Sequence, residues 1–244
     1  MSKSKAANAR KAPRARRPKS ARQPRPSGRV FLLSPANVGG IRARMMISPH
    51  AQFDLAQRLK SVEGAPLGEV FSFVSGLYFR GKLAYARRFA RPPDPADPVV
   101  AGGALVITTN AGLRAVDTPV TVESFQGFAT GDIDLREPSY RVPLERSAKA
   151  LLEAIGPECE VVLLGSVASG KYVDLLLPIF GDKLMFPPDF VGRGDMSRGG
   201  LMLRCVMADY ELPYVSLKGA VRHGARPPKL EPITYADPKG PRRS

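Results

Sequence analysis

Apolar and polar positions fall in blocks along this chain, and the blocks read as strands and helices taking turns. Val30–Leu33 is a short apolar run closed by Ser34-Pro35-Ala36-Asn37. Ser48 can cap a helix with Pro49 in its first turn, and Ala51, Leu55, Leu59 and Val62 then share one helical face. Val70–Val74 predicts a strand ending at Ser75-Gly76, followed by a helix with Phe79, Leu83 and Ala86 on one side. Ala104–Thr108 is the next strand and ends at Asn110-Ala111-Gly112. Pro143 opens the clearest helix, where Leu144, Ala148, Leu151, Leu152 and Ile155 keep helical spacing. Val161–Leu164 is wholly apolar, as a strand buried on both faces of a parallel sheet should be. A helix carrying Tyr172, Leu175, Leu176 and Ile179 follows, bent or ended by Pro178, and then a short strand at Leu184–Phe186. Leu201–Val206 and Leu212–Leu217 flank a polar tip and predict a β-hairpin, with a helix over 200–208 as the competing assignment.

Strands alternating with helices predict an α/β fold: a mostly parallel open sheet of Rossmann-like type with flanking helices, four or five parallel strands, and an appended C-terminal hairpin. The length of 244 residues suits one domain between two tails. No run approaches the ~18–20 apolar residues of a membrane helix, and no apolar signal core follows the start. The expectation is a soluble cytoplasmic protein.

Charge sharpens the boundaries. Residues 1–29 carry eleven Lys and Arg and no acid, and residues 225–244 carry five basic and two acidic residues. Of the net +15, the two ends hold +11 and +3, so residues 30–224 hold only +1. Residues 2–29 also lack Val, Ile, Leu, Phe and Tyr, and cannot bury enough surface to offset ordering. The chain therefore divides into a disordered basic arm at 1–29, an α/β domain at 30–224 and a Pro-rich disordered tail at 225–244. A coil with basic residues over 3–29 attracts nucleic-acid phosphates without reading sequence, or serves simply as a solubilising tail.

Cys159 and Cys205 form neither a disulfide framework nor a zinc spacing, and with two histidines no metal site is expected. Candidate chemistry lies in the loops after the expected parallel strands, which are rich in small polar residues: Ser34 to Asn37, Ser75-Gly76, Thr109 to Gly112, and Gly165 to Lys171. In an open α/β sheet these loops gather at one edge, where ligands bind. Gly165-Ser166-Val167-Ala168-Ser169-Gly170-Lys171 fits G-x-x-x-x-G-K after a strand and before a helix, the setting of a phosphate-cradling loop. Tyr172 stands where a P-loop places the Ser or Thr that holds magnesium, which argues against a triphosphatase. The competing assignment is a plain turn. A later segment, Val191 to Gly200, offers Arg193, Ser197 and Arg198 as anion ligands and Asp195 as acid or base, or else a surface loop with an internal Arg–Asp pair.

These residues make a candidate site: Asp195 and Lys171 as catalytic groups, with Ser34, Asn37, Ser75, Asn110, Gly165, Ser166, Ser169, Gly170, Lys171, Arg193, Ser197 and Arg198 around a ligand. The expected ligand is a nucleotide, nucleoside or other phosphorylated small molecule, with the cofactor unspecified. The alternative is a nucleic-acid-associated protein acting through its arm, with a non-catalytic body.

FLLSPA at 31–36, LYFRGKLAYA at 77–86, VITTNAGLRAVDTPV at 106–120 and VVLLGSVASGKYVDLLLPIF at 161–180 occur in an order that resembles the peroxide-stress YaaA-like group and related bacterial domains of unknown function. The resemblance spans about residues 30–180. It implies an α/β fold, a bacterial source and stress- or nucleic-acid-linked biology; its motifs transfer no site residue.

Overall fold

A computed structural model describes residues 28–230; the basic arm before Gly28 and the tail after Leu230 lie outside the described residues. The centre is a six-stranded sheet in the order β4-β3-β1-β6-β7-β8. β1 (Gly28–Leu33), β3 (Ala104–Ile107), β6 (Cys159–Leu164) and β7 (Leu184–Phe186) are parallel. β4 (Leu113–Ala115) and β8 (Val215–Ser216) close the two edges antiparallel. A separate two-stranded ribbon joins β2 (Ala65–Pro66) to β5 (Pro119–Val120).

Strands β1 and β3 are buried at every position, because helices cover both sheet faces and leave no side that water selects. Phe31 and Leu33 point to one face, covered by α1 (Ile41–Ile47), α2 (Asp54–Lys60), α3 (Leu67–Ser75), α4 (Leu77–Phe89), α5 (Val122–Thr130) and α8 (Asp195–Met207). Val30 and Leu32 point to the other, under α6 (Pro138–Ile155) and α7 (Gly170–Phe180). α4 and α8 pack most closely, crossing where Gly81 meets Gly199.

Several expectations need correction. The run at 70–74 is helix α3 and not a strand: Leu67, Val70, Phe71 and Val74 are all buried at helical spacing, a stripe that the local apolar density hides. Among the described residues there are therefore four parallel strands, within the four or five expected. The C-terminal hairpin is absent; residues 201–206 belong to α8, whose Arg198, Met202 and Cys205 face inward at helical intervals. Only Val215–Ser216 pairs as strand, with β7. The helix expected from Ser48 is confined to α2, and Ser48 instead ends the preceding α1. α6 starts at Pro138, five residues before Pro143, which is held inside the helix between the buried Tyr140 and Leu144. Finally, β1 begins at Gly28, so Arg29 belongs to the sheet and not to the arm.

Arg29 is a buried cation at the amino end of β1. It pairs with Glu160 and Glu211, and its guanidinium lies 4.5 Å over the Tyr214 ring. Arg91 reaches the same Glu211, and the Tyr214 hydroxyl bonds to Tyr85 at 2.7 Å. Burial works against the Arg29 charge, yet both carboxylates hold it above its ordinary pKa. No helix among the described residues is long and apolar enough to cross a membrane.

Candidate functional site

The strand order creates one topological switch point. From β1 the chain enters the helices of one face and returns at β3; from β6 it enters α7 on the opposite face and returns at β7. β1 and β6 are neighbours, so the loops leaving their carboxyl ends part in opposite directions, the position at which such sheets bind ligands. Ser34 and Gly165 occupy it. The Ser34 amide donates to the Leu164 carbonyl at 3.2 Å, and a Cβ on Gly165 would come within 3.0 Å of the Ser34 Cβ. Glycine here lets the two strand ends close up.

Lys82 reaches Ser34 at these strand ends from α4. It is 0 % exposed. Its Nζ lies 2.5 Å from the Ser34 carbonyl oxygen and 2.9 Å from the Ser34 Oγ. The same Nζ stands 4.3 Å over the Tyr78 ring and 4.8 Å over the Phe79 ring. Among the described residues no carboxylate pairs with it. Burial pushes its pKa down to about 7; the Asp195 charge opposes this and the Arg198 charge adds to it.

Arg198 enters from the first turn of α8 and is also buried. Its Nε and Nη2 both donate to the Phe190 carbonyl, at 3.2 and 3.1 Å, and its Nη1 meets Asp195 at 3.4 Å. Asp195 itself is 67 % exposed and marks the way to solvent. Tyr78 is buried, and its hydroxyl has no hydrogen-bond partner among the described residues. Burial raises the phenol's pKa, with Arg198 pulling against the rise and Asp195 adding to it. Tyr172, buried at the start of α7, is close enough for Tyr78 and Asp195 to add to the rise that burial causes. The site is thus a closed cluster: Ser34, Tyr78, Lys82, Tyr172 and Arg198, with Asp195 at the rim.

The expected site residues divide accordingly. Ser34, Gly165, Asp195 and Arg198 belong to the cluster. Ser166 follows Gly165, half-buried in the same loop. Arg193 sits just outside, with Nε on the Asp189 carbonyl at 2.9 Å and Nη1 3.3 Å from Ser197 Oγ. Asn37 is exposed and folds onto the Gly39 amide. Ser75 ends α3, and Asn110 ties the β3–β4 turn to α5 by donating to the Gly127 carbonyl.

Ser169 and Gly170 begin α7, but the Asp174 carboxylate folds over that end: a Cβ on Gly170 would fall 2.0 Å from its oxygen. An acid at a helix N-terminus already occupies the place an anion would take. Lys171 is exposed, and its charge bears on Asp134. Both histidines, His50 and His223, are exposed away from the cluster.

Lys82, Tyr78 and Tyr172 are the residues sequence reasoning passed over. A signal existed: Lys82 lies three residues after Phe79 and four before Ala86, on the apolar face of α4. A lysine on a buried stripe is uncommon and marks a site.

A groove of about 570 Å³ between α6 and α7 has apolar walls at Leu135, Leu152, Leu175, Pro178 and Ile179. Its charged rim is partly self-paired through Glu145 and Lys149, and no buried polar group reaches into it. The buried polar cluster at Ser34 is the better candidate. Among the described residues no group of three His, Cys, Asp or Glu side chains could hold a metal ion. No family model, curated protein or solved structure matches the chain.

Proposed function

We propose that the carboxyl edge of the sheet binds an anionic small molecule, a nucleotide or other phosphorylated or carboxylated metabolite, and that the protein is an enzyme acting on it. The observation carrying this reading is the buried Tyr78 hydroxyl, without a hydrogen-bond partner among the described residues, beside two buried basic groups, Lys82 and Arg198. Tyr78 has an unpartnered hydroxyl, Arg198 has N–H groups to spare, and Lys82 forms no ion pair among the described residues, although the Asp195 charge acts on it. Leaving a buried polar group unsatisfied costs about 1–3 kcal/mol, so a fold that keeps the Tyr78 hydroxyl in this state gains if a ligand satisfies it. The ligand would present an oxyanion to Arg198 and Tyr78 and a reacting atom to Lys82. Both cysteines are free and buried, as suits a reducing cytoplasm.

The test is a thermal-shift screen of nucleotides, sugar phosphates and small carboxylates. A ligand at a hundred times its Kd should add about 2.7 kcal/mol of stability. Arg198→Met should remove the shift and Lys171→Met should leave it, because Lys171 faces elsewhere. Stabilisation that Lys171→Met abolishes would move the site to the start of α7 and overturn this reading.

A second reading concerns the arm alone: ten positive charges and no acid in residues 1–27 favour nucleic-acid association. Deleting residues 2–27, which spares the Arg29 ion pairs, should abolish salt-sensitive retention on DNA or RNA. Unchanged retention would reject it.

A further inference from the structure

We propose that Lys82 is a Schiff-base-forming amine, and that the substrate is a small aldehyde, keto acid or carbonyl phosphate whose carbonyl carbon bonds to the Lys82 nitrogen while its anionic end rests on Arg198. This rests on the anion-binding reading above and names the substrate class for the same cluster.

The hydrogen-bond count around Nζ comes first. Two acceptors face it, the Ser34 carbonyl and the Ser34 Oγ, and both are neutral. A neutral amine has two N–H groups, which these acceptors satisfy, and one lone pair, which is then free. An ammonium would carry a third proton with no acceptor, and Asp195, the one carboxylate whose charge favours it, forms no ion pair with it. The rings of Tyr78 and Phe79 soften that cost by presenting their faces, but they do not replace a counter-ion. The Asp195 charge favours the ammonium and the Arg198 charge, the smaller influence of the two, favours the free base, so burial decides the balance. A lysine serving only to fasten α4 to β1 needs neither a neighbouring guanidinium nor an unpartnered phenol.

The Arg198 count is complementary. Of its five N–H groups, Nε and one on Nη2 go to the Phe190 carbonyl and one on Nη1 goes to Asp195. Two remain, on a guanidinium held in place by burial, and they suit a carboxylate or phosphate. Tyr78 stands between the two functions. Its hydroxyl feels both Arg198 and Ser34 without bonding well to either.

The chemistry balances with these groups alone. The Lys82 lone pair adds to the carbonyl carbon and a carbinolamine forms. Its C–O bond then breaks as the C=N bond forms. The carbonyl oxygen leaves as water, carrying the two protons the amine began with. Tyr78 relays a proton from nitrogen to the departing oxygen. No oxidant, reductant or metal is required. The imine, once protonated, draws electrons from the adjacent carbon, which is the step that assists aldol cleavage or decarboxylation.

The test uses the full-length protein with sodium cyanoborohydride at pH 7 and four probes: glyoxylate, pyruvate, glyceraldehyde 3-phosphate and uncharged propionaldehyde. Intact mass and peptide mapping read where the reduced adduct sits. The expected result is one dominant adduct on Lys82 with at least one anionic probe, tenfold or more above any exposed lysine such as Lys149 or Lys171. Its pH profile should level off just above 7, whereas surface lysines keep rising toward pH 10. In Arg198→Met the preference for anionic probes over propionaldehyde should disappear. Adducts spread over exposed lysines with Lys82 unmodified would overturn the proposal, and the map of the unmutated protein decides this even if Lys82→Met fails to fold. Anion-induced thermal stabilisation without a Lys82 adduct overturns the Schiff base and leaves anion binding standing. The absence of both removes the underlying reading as well.

Discussion

Gly81 of α4 lies against the backbone of Gly199 in α8: a Cβ on Gly81 would sit 2.6 Å from the Gly199 carbonyl oxygen and 2.9 Å from its Cα. A Cβ on Gly199 would meet the Leu77 carbonyl at 2.8 Å and the Tyr78 Cα at 2.8 Å. This crossing sets how closely Arg198, beside Gly199, approaches Tyr78 and Lys82 on either side of Gly81. Backbone cannot yield as a flexible side chain does, so Gly81→Ala and Gly199→Ala should each destabilise by about 1–3 kcal/mol through overpacking. Gly200, the next residue, would meet only the Leu230 side chain at 3.6 Å. Gly200→Ala should therefore stabilise, by up to about 1 kcal/mol from helix propensity. Urea unfolding of the three variants checks both signs.

Lys82 ties stability to pH. Its folded pKa is lowered to about 7 from an ordinary value of 10.5. Between these values the unfolded chain binds a proton that the folded chain does not, so this group's contribution rises with pH. It approaches a slope of about 1.4 kcal/mol per pH unit. Below pH 7 both states are protonated and the slope vanishes. Lys82→Met lacks the titration, although it also strips the Ser34 oxygens of their donor. The difference in unfolding free energy, wild type minus Lys82→Met, should be flat at pH 5–6.5 and climb steadily from pH 7.5 to 10. A flat difference throughout would mean the amine stays charged.

The ion pairs should separate by burial. Arg29 joins β1 to Glu160 on β6 and to Glu211 before β8, and all three side chains are largely covered. Glu160→Gln leaves the cation short of charge and should cost about 3 kcal/mol. Arg87 and Asp117 form a comparable pair in the open. Arg87→Ala should cost no more than about 0.5 kcal/mol and should lose even that in 1 M salt. Thermal unfolding at low and high salt separates the two.

The parts of the fold legible in the sequence are those where one period dominates. Val161–Leu164 and Val30–Leu33 are unbroken apolar runs, and they are the two central strands. Residues 67–75 were harder: the dense VFSFV run masks the helical stripe of Leu67, Val70, Phe71 and Val74, and only the preceding Leu67 discloses it. Residues 195–207 carry Gly199 and Gly200, which look like breakers; a close helix crossing at Gly199 explains its glycine and no local pattern signals it. The site was half legible. Ser34 and Gly165 follow apolar strands, so topology alone places them at the edge. Lys171 satisfied a motif, yet its side chain turns outward and Asp174 covers the helix end. Lys82 belonged to no motif, and its meaning depends on Ser34, 48 residues earlier, folding onto it.

Tyr78→Phe separates a structural role from a functional one most cleanly. The substitution removes one oxygen and keeps the ring that packs over Lys82. If the phenol serves the fold, losing it should cost about 1 kcal/mol, the usual worth of a hydrogen bond. Its hydroxyl makes none among the described residues, and a buried polar group without a partner is a burden. Tyr78→Phe should therefore be neutral or more stable by up to about 1 kcal/mol. Binding should move the other way: an oxyanion ligand loses a donor in a dry site, which weakens Kd by about tenfold or more. Any imine at Lys82 should form more slowly for want of a proton relay, while its final extent changes less. Stability is read by urea unfolding without ligand, affinity by titration with the strongest anion from the screen, and imine formation by timed reduction. Higher stability with weaker binding identifies a group kept for a ligand; loss of stability with unchanged binding would return Tyr78 to the core.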